Sequence, residues 1–219
     1  QPFSQPNFSS DSAKPLCCYK IWFCRGKQYI INYIVNKDKY HNGTNQYSNY
    51  IYKCNPSDLS SPEQIHIEPG PFKEFNSLNP HEIIFSPDST KYFITCDYSN
   101  EVRVMDALED TWIAVIPSPA KPLEFAISTK SQFPYLFVTC QEATSPQPGN
   151  KGAVLVINYN TLTVAKTIDV GFFQPHGIAI NEDENVIYVA SRNVDPNGPA
   201  PHHSTNCGGR NGFMRMIRL

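Results

Sequence analysis

The chain has 219 residues, of which 40% are hydrophobic and only 17% charged, and its net charge is −2 at neutral pH. That length gives one large domain or two small ones, and the near-neutral balance, with no cluster of Lys and Arg, excludes a surface built to neutralise nucleic-acid phosphates. No run of about 18 apolar residues occurs, so no helical membrane span is expected.

Residues 1–20 form a polar N-terminal segment rich in Ser and Pro, without the basic and apolar regions of a signal peptide. Seven cysteines are an odd number and lack zinc-finger spacing. Cys17, Cys18 and Cys24 lie close together, and a disulfide from this group to Cys54 is one reading; small buried hydrophobes are the plainer one. Abundant Phe and Tyr, interrupted by 19 prolines and by Asn, Asp and Gly, read as many short strands, hence an all-β fold.

From residue 21 onward one pattern recurs, in units of about 21–75, 76–119, 120–173 and 174–219. In the first unit, residues 28–36 (QYIINYIVN) fit a second strand, 49–55 (NYIYKCN) a third, and 59–67 a turn and fourth strand. In the second, a short apolar strand at 82–85 meets the turn Ser86-Pro87-Asp88, and strands at 92–96, 102–106 and 111–116 follow. The third unit repeats this at 123–127, 135–140, 154–158 and 164–170, and the fourth at 177–180, 186–190 and 213–218. In the last three units equivalent second strands start about 43 and 51 residues apart, roughly the length of a four-stranded propeller blade. A single blade cannot bury both faces of its sheet, so neighbouring blades must stack.

The residues Pro175-His176-Gly177-Ile178-Ala179-Ile180, Ser86-Pro87-Asp88, Tyr188-Val189-Ala190-Ser191 and Gly152-Ala153-Val154-Leu155-Val156-Ile157 carry a family resemblance. Over residues 28–219 the chain resembles the YVTN-repeat family of β-propellers, and two departures stand out: Lys121-Pro122-Leu123 replaces one Pro-His-Gly, and Asn100 takes a glycine place. The resemblance implies an all-β propeller of four-stranded antiparallel blades, about four of them visible, partial relative to the seven usual in the family. The expectation is therefore a fragment, or assembly from several chains, with self-association where an incomplete ring leaves sheet faces uncovered. It also implies an extracytoplasmic location, periplasmic, cell-surface or secreted.

Strand alternation places the fourth-to-first connections and the second-to-third loops on one face of the disc. That face should collect His81, His176, Cys96 and Cys140, with long loops at residues 37–48, 141–151 and 193–211. His81, His176, Arg192 and Arg210 are the candidate ligand-binding residues. His202, His203 and Cys207, with His176, are the candidate metal ligands; no metal is required by the sequence, and copper or zinc would suit these donors. The plainer alternative is that Pro-His pairs shape the start of each blade, with imidazole bonded to backbone, while residues 202–207 form a solvated loop.

A hydrolase reading would use Glu82, Glu124, His176 and Arg192 at the channel, although no G-x-S-x-G and no nucleophile–base pair is present. Tyr40, Tyr47, Tyr50 and Tyr52 offer interface anchors or blade packing. The expected function is a non-catalytic scaffold recognising a protein, peptide or glycan through its loop face, without nucleic acid. The alternative is a metal- or cofactor-bearing oxidoreductase, or a lactonase-like hydrolase, at the same face.

Overall fold

The computed structural model describes residues 18–24, 27–32, 50–55, 58–67, 78–192 and 212–219. The described residues form fifteen strands and no helix, arranged as four antiparallel sheets. The first sheet holds β1 (Cys18–Cys24), β2 (Lys27–Asn32), β3 (Tyr50–Asn55) and β4 (Asp58–His66). The second holds β5 (Pro80–Phe85), β6 (Lys91–Cys96), β7 (Glu101–Asp106) and β8 (Trp112–Pro117). The third holds β9 (Pro122–Ile127), β10 (Tyr135–Cys140), β11 (Ala153–Asn158) and β12 (Thr163–Ile168). The fourth holds β13 (Pro175–Asn181), β14 (Val186–Ser191) and β15 (Phe213–Arg218).

Strand order follows chain order in every sheet, as in the blades of a β-propeller. The first sheet contains a strand, β1, that the repeat pattern did not reveal, and it starts within residues 1–20, read as a polar N-terminal segment.

The reason for stacking is visible in the core, which lies between sheets and not within any one of them. In β6, Phe93 packs toward the third sheet with Leu136, Val138 and Leu155, whereas its neighbours Tyr92 and Ile94 pack toward the first with Ile51 and Ile65. In β10, Leu136 and Val138 face back toward the second sheet, and Phe137 joins Phe172, Ile187 and Val189 of the next interface. Successive side chains on a strand point to opposite faces. A blade covered on both sides therefore needs apolar residues pointing both ways, which explains the consecutive apolar runs YFI in β6 and LFV in β10. The outer strands β8 and β12 are largely exposed. On the fourth sheet, Met214 and Met216 of β15 are 68% and 56% exposed.

The connections repeat in atomic detail. At the turn between third and fourth strands, Asp106 Oδ1 accepts from the amides of Leu108 and Glu109, and Asn158 Oδ1 accepts from those of Asn160 and Thr161. Four residues on, Asp110 and Leu162 both adopt positive φ and donate their amides back to the carbonyls of residues 106 and 158. At the fourth-to-first connections, Asn79, Lys121 and Gln174 all have positive φ immediately before Pro80, Pro122 and Pro175.

A second repeated device joins blade to blade. Thr95 Oγ1 accepts from Glu82 N at 3.0 Å and donates to Leu123 O at 2.7 Å. Thr139 Oγ1 accepts from Glu124 N at 3.1 Å and donates to His176 O at 2.8 Å. Each hydroxyl thus ties its own first strand to the first strand of the next blade, and both threonines are fully buried. Glu82 adds to the first of these joints, its Oε2 accepting from Phe125 N at 2.6 Å.

Polar contacts close the interfaces further out. Lys53 of β3 reaches Asp110 and Glu63, and Tyr92 Oη donates to Asp110. Burial alone would lower the Lys53 ammonium, but hydrogen bonds and charge from Asp110 and Glu63 outweigh it and raise its pKa. Arg103 is fully buried, with Nε donating to Glu101 Oε1 at 2.8 Å. Gly152, at φ +100°, lies so close to the fourth sheet that an added Cβ would stand 2.1 Å from Pro175 Cδ.

Candidate functional site

The inner strands β5, β9 and β13 each begin with Pro at the same rim, so their second and third residues sit just below that rim. In β5 these are His81 and Glu82, in β9 Leu123 and Glu124, and in β13 His176 and Gly177. Strands β5 and β13 both pair with their own second strands, and β9 packs between them against both. The consequence is that residues 95 positions apart in sequence meet: the rings of His81 and His176 stand edge to face, with centroids 6.0 Å apart.

Glu124 lies between them. Its Oε1 is 3.8 Å from His176 Nδ1 and 4.0 Å from His81 Nδ1. One ligand-type atom from each of the three residues falls within 4.8 Å of the others. The carboxylate and both rings are mostly shielded, with side chains 10% (His81), 12% (Glu124) and 19% (His176) exposed. His81 Nδ1 also lies 3.2 Å from the carbonyl of Leu123, in the neighbouring blade. The backbone contact anticipated for the Pro-His pairs is therefore present for His81. It coexists with a three-residue cluster that pattern reasoning did not assemble. Glu124 had entered only through the hydrolase reading. The available signal was positional: Glu82 and Glu124 occupy equivalent places on successive first strands, and Glu82 caps the next blade's amide.

Of the other expected site residues, Arg192 follows β14 on the same rim, where its amide donates to Phe173 O at 2.9 Å. It is not a member of the His81, Glu124 and His176 group. Arg210, His202, His203 and Cys207 lie outside the described residues, as do Tyr40, Tyr47 and the side chains of Tyr50 and Tyr52. Cys96 and Cys140 are buried in the inter-blade cores. Burial pushes the Cys140 thiol up to about 12.

The same rim also carries a hollow between the second and third sheets. It has a volume of about 360 Å³ and is lined by Asn79, Asp97, Tyr98, Asn100, Ala120, Lys121 and Glu142. These residues come from two fourth-to-first connections and two second-to-third loops, the combination that strand alternation places together. The Tyr98 ring is 45% exposed. Asn79 Nδ2 donates to Asp97 Oδ1 at 2.6 Å, and burial raises the Asp97 carboxyl against the opposing pull of that bond and of the Lys121 charge. Asn100 Oδ1 accepts from Lys121 N at 2.7 Å, and Gln174 Nε2 donates to Glu142 Oε1 at 2.7 Å. Asn79, Asn100 and Lys121 all hold positive φ, so the hollow is framed by fixed backbone turns.

The opposite face carries a tie of its own. Glu182, in the turn after β13, accepts from Ser128 Oγ, Thr129 N and Thr129 Oγ1, and Lys130 donates to its carbonyl. Hydrogen bonding from Thr129 and Ser128 outweighs desolvation and lowers the Glu182 carboxyl.

No family model matches the chain. No curated protein matches it. Solved structures do. A protein from Lactobacillus plantarum is 18% identical with a TM-score of 0.54, over 81% of this chain and 49% of that one. The hydrazine synthase of Kuenenia stuttgartiensis is 24% identical over 56% of this chain and 32% of that one, with a TM-score of 0.45. The WD40 repeats of RRP9 are 15% identical over 55% of this chain and 34% of theirs, with a TM-score of 0.44. The chain thus spans half or less of the length of these structures. The sheet topology and the likeness to the Lactobacillus plantarum protein establish the fold: blades of a β-propeller.

Proposed function

We propose that this chain is a YVTN-type propeller segment that acts as a non-catalytic binding scaffold, recognising a protein, peptide or glycan through the rim where its inner strands begin. The observation that carries this reading is the rim hollow, in which an exposed Tyr98 stands among the hydrogen-bonding groups of Asn79, Asn100, Asp97, Lys121 and Glu142. A concave site with one aromatic platform and a few polar groups held by rigid turns is suited to orienting a ligand. The threonine joints and the repeated Pro-His starts support the YVTN assignment, and with it an extracytoplasmic location.

The test is binding to peptide and glycan arrays, followed by titration of any hit against Tyr98→Ala and Lys121→Ala. Both variants should weaken binding by at least about 10-fold, the loss of one anchor contact. Unchanged binding in both would remove the hollow as the recognition site. Turnover of a lactone panel by protein that ignores both arrays would reverse the reading in favour of a hydrolase.

A further inference from the structure

We propose that His81, Glu124 and His176 form a binding site for a divalent transition-metal ion of the zinc class, bridging three consecutive blades. The argument starts from the donors. Two imidazoles and one carboxylate are a donor set that suits Zn²⁺ and its neighbours, and hard oxygen-seeking ions such as Mg²⁺ or Ca²⁺ would not choose it.

The spacing supports the same conclusion. Metal–ligand bonds of about 2.0–2.1 Å place tetrahedral ligands roughly 3.3 Å apart. Here the Glu124 oxygen is 3.8 Å and 4.0 Å from the two ring nitrogens. Closing the two carboxylate–imidazole edges takes about 0.5–0.7 Å, and the whole set, within 4.8 Å, up to about 1.5 Å, through side-chain torsions on a fixed backbone.

The backbone is indeed fixed. Thr139 holds both Glu124 N and His176 O, and Thr95 holds Leu123 O, whose oxygen also faces His81 Nδ1. Metal-bound histidines commonly have one ring nitrogen oriented by a carbonyl or carboxylate, which sets the tautomer and the ring plane. In His81 the Leu123 carbonyl faces Nδ1, the same nitrogen that stands 4.0 Å from Glu124, so an ion bound through Nδ1 replaces that contact.

Three protein ligands leave a tetrahedral ion one further position, and His176, the most exposed of the three, marks the accessible side. Because each ligand belongs to a different blade, the ion would act as a clamp across two interfaces. Its binding energy would then add to the stability of the folded arrangement.

The site differs from the set read from the sequence, which joined His176 to His202, His203 and Cys207. A single experiment separates the two. Protein stripped with chelator and dialysed is titrated with Zn²⁺ by calorimetry, and with Co²⁺ by visible absorption. The variants are His81→Ala/His176→Ala, Glu124→Gln and His202→Ala/His203→Ala.

The expected result is one Zn²⁺ per chain, tetrahedral Co²⁺ bands, and a Zn²⁺-dependent rise in melting temperature. Affinity should fall at least about 100-fold in His81→Ala/His176→Ala and about 10-fold or more in Glu124→Gln, as losses of direct ligands. It should stay unchanged in His202→Ala/His203→Ala. Should the double alanine variant fail to fold by circular dichroism, His81→Gln/His176→Gln keeps hydrogen-bonding capacity while removing the imidazoles. Three outcomes would overturn the proposal: no stoichiometric Zn²⁺ in the unaltered protein, full binding after both imidazoles are removed, or loss of binding confined to His202→Ala/His203→Ala.

Discussion

Replacing Thr139 with Val removes one hydroxyl and almost nothing else, since the two side chains are nearly isosteric. That hydroxyl accepts from Glu124 N at 3.1 Å and donates to His176 O at 2.8 Å, in a fully buried setting. The variant loses two hydrogen bonds and leaves a backbone donor and a backbone acceptor facing a methyl group. A buried group deprived of its partner costs about 1–3 kcal/mol. Two of them, with some relaxation of the strands, place the expected loss at about 2–4 kcal/mol. For a chain of this size each kcal/mol lowers the melting temperature by about 2–4 °C, so a fall of roughly 5–15 °C is expected. Thr139→Ser is the control: it keeps the hydroxyl and loses only a methyl, at about 0.5–1.5 kcal/mol. Urea unfolding followed by far-UV circular dichroism measures both. If Thr139→Val proves no less stable than Thr139→Ser, the hydroxyl is not a joint between blades and the account of the interface fails.

Gly152→Ala places a Cβ 2.1 Å from Pro175 Cδ at a φ of +100°, so overlap and backbone strain act together; a loss of about 2–4 kcal/mol is expected in the same urea assay. The lowered Glu182 carboxyl binds a proton less readily folded than unfolded, so it favours the folded state above its usual value of 4.5 and loses that contribution as pH falls through its lower folded value. Melting temperatures across pH 2.5 to 6 (about that range) should therefore drop less steeply in Glu182→Gln than in the parent chain, and parallel curves would count against the tie. The Cys140 thiol, buried and pushed up to about 12, should resist alkylation at neutral pH until the protein is unfolded. Peptide mass mapping after iodoacetamide treatment, with and without urea, reads this directly, and prompt labelling of native Cys140 would show that the core opens.

The blades were legible because propeller strands obey two local rules at once. Strands covered on both faces, such as β6, carry consecutive apolar residues (YFI), and each turn needs a residue that bends the backbone, as Asp106 and Asn158 do through their side-chain oxygens. Both rules act within a few residues and therefore show in a sequence. The first blade was read less completely, since β1 (CYKIWFC) lies where composition suggested a polar segment and has no Pro-His start. The cluster of His81, Glu124 and His176 was half legible. Strand alternation correctly sends His81 and His176 to one rim, but the closeness of Glu124 depends on how far three sheets turn about their common axis. No residue count encodes that rotation. The tie made by Glu182 was missed for the same reason, because it joins turns of different blades.

What localises chemistry in a repeat protein is departure from the repeat, and the three inner strands show how. At the second position the sequence runs His81, Leu123, His176, and at the third Glu82, Glu124, Gly177. A full set of His-Glu pairs would have put three imidazoles and three carboxylates around one axis, with excess charge to bury. Leu123 removes one imidazole and offers its carbonyl to both Thr95 and His81. Glu82 is spent on Phe125 N, and Gly177 carries no side chain at all. The remaining groups are two imidazoles around a single carboxylate. The threonine that fixes Glu124 and His176 is the same one that locks the third blade to the fourth. Stability and site geometry therefore share their atoms here. A substitution that loosens the joint at Thr139 should move the His176 and Glu124 backbones together, weakening metal affinity in step with folding stability, whereas one at the outer strand β12 should leave both unchanged.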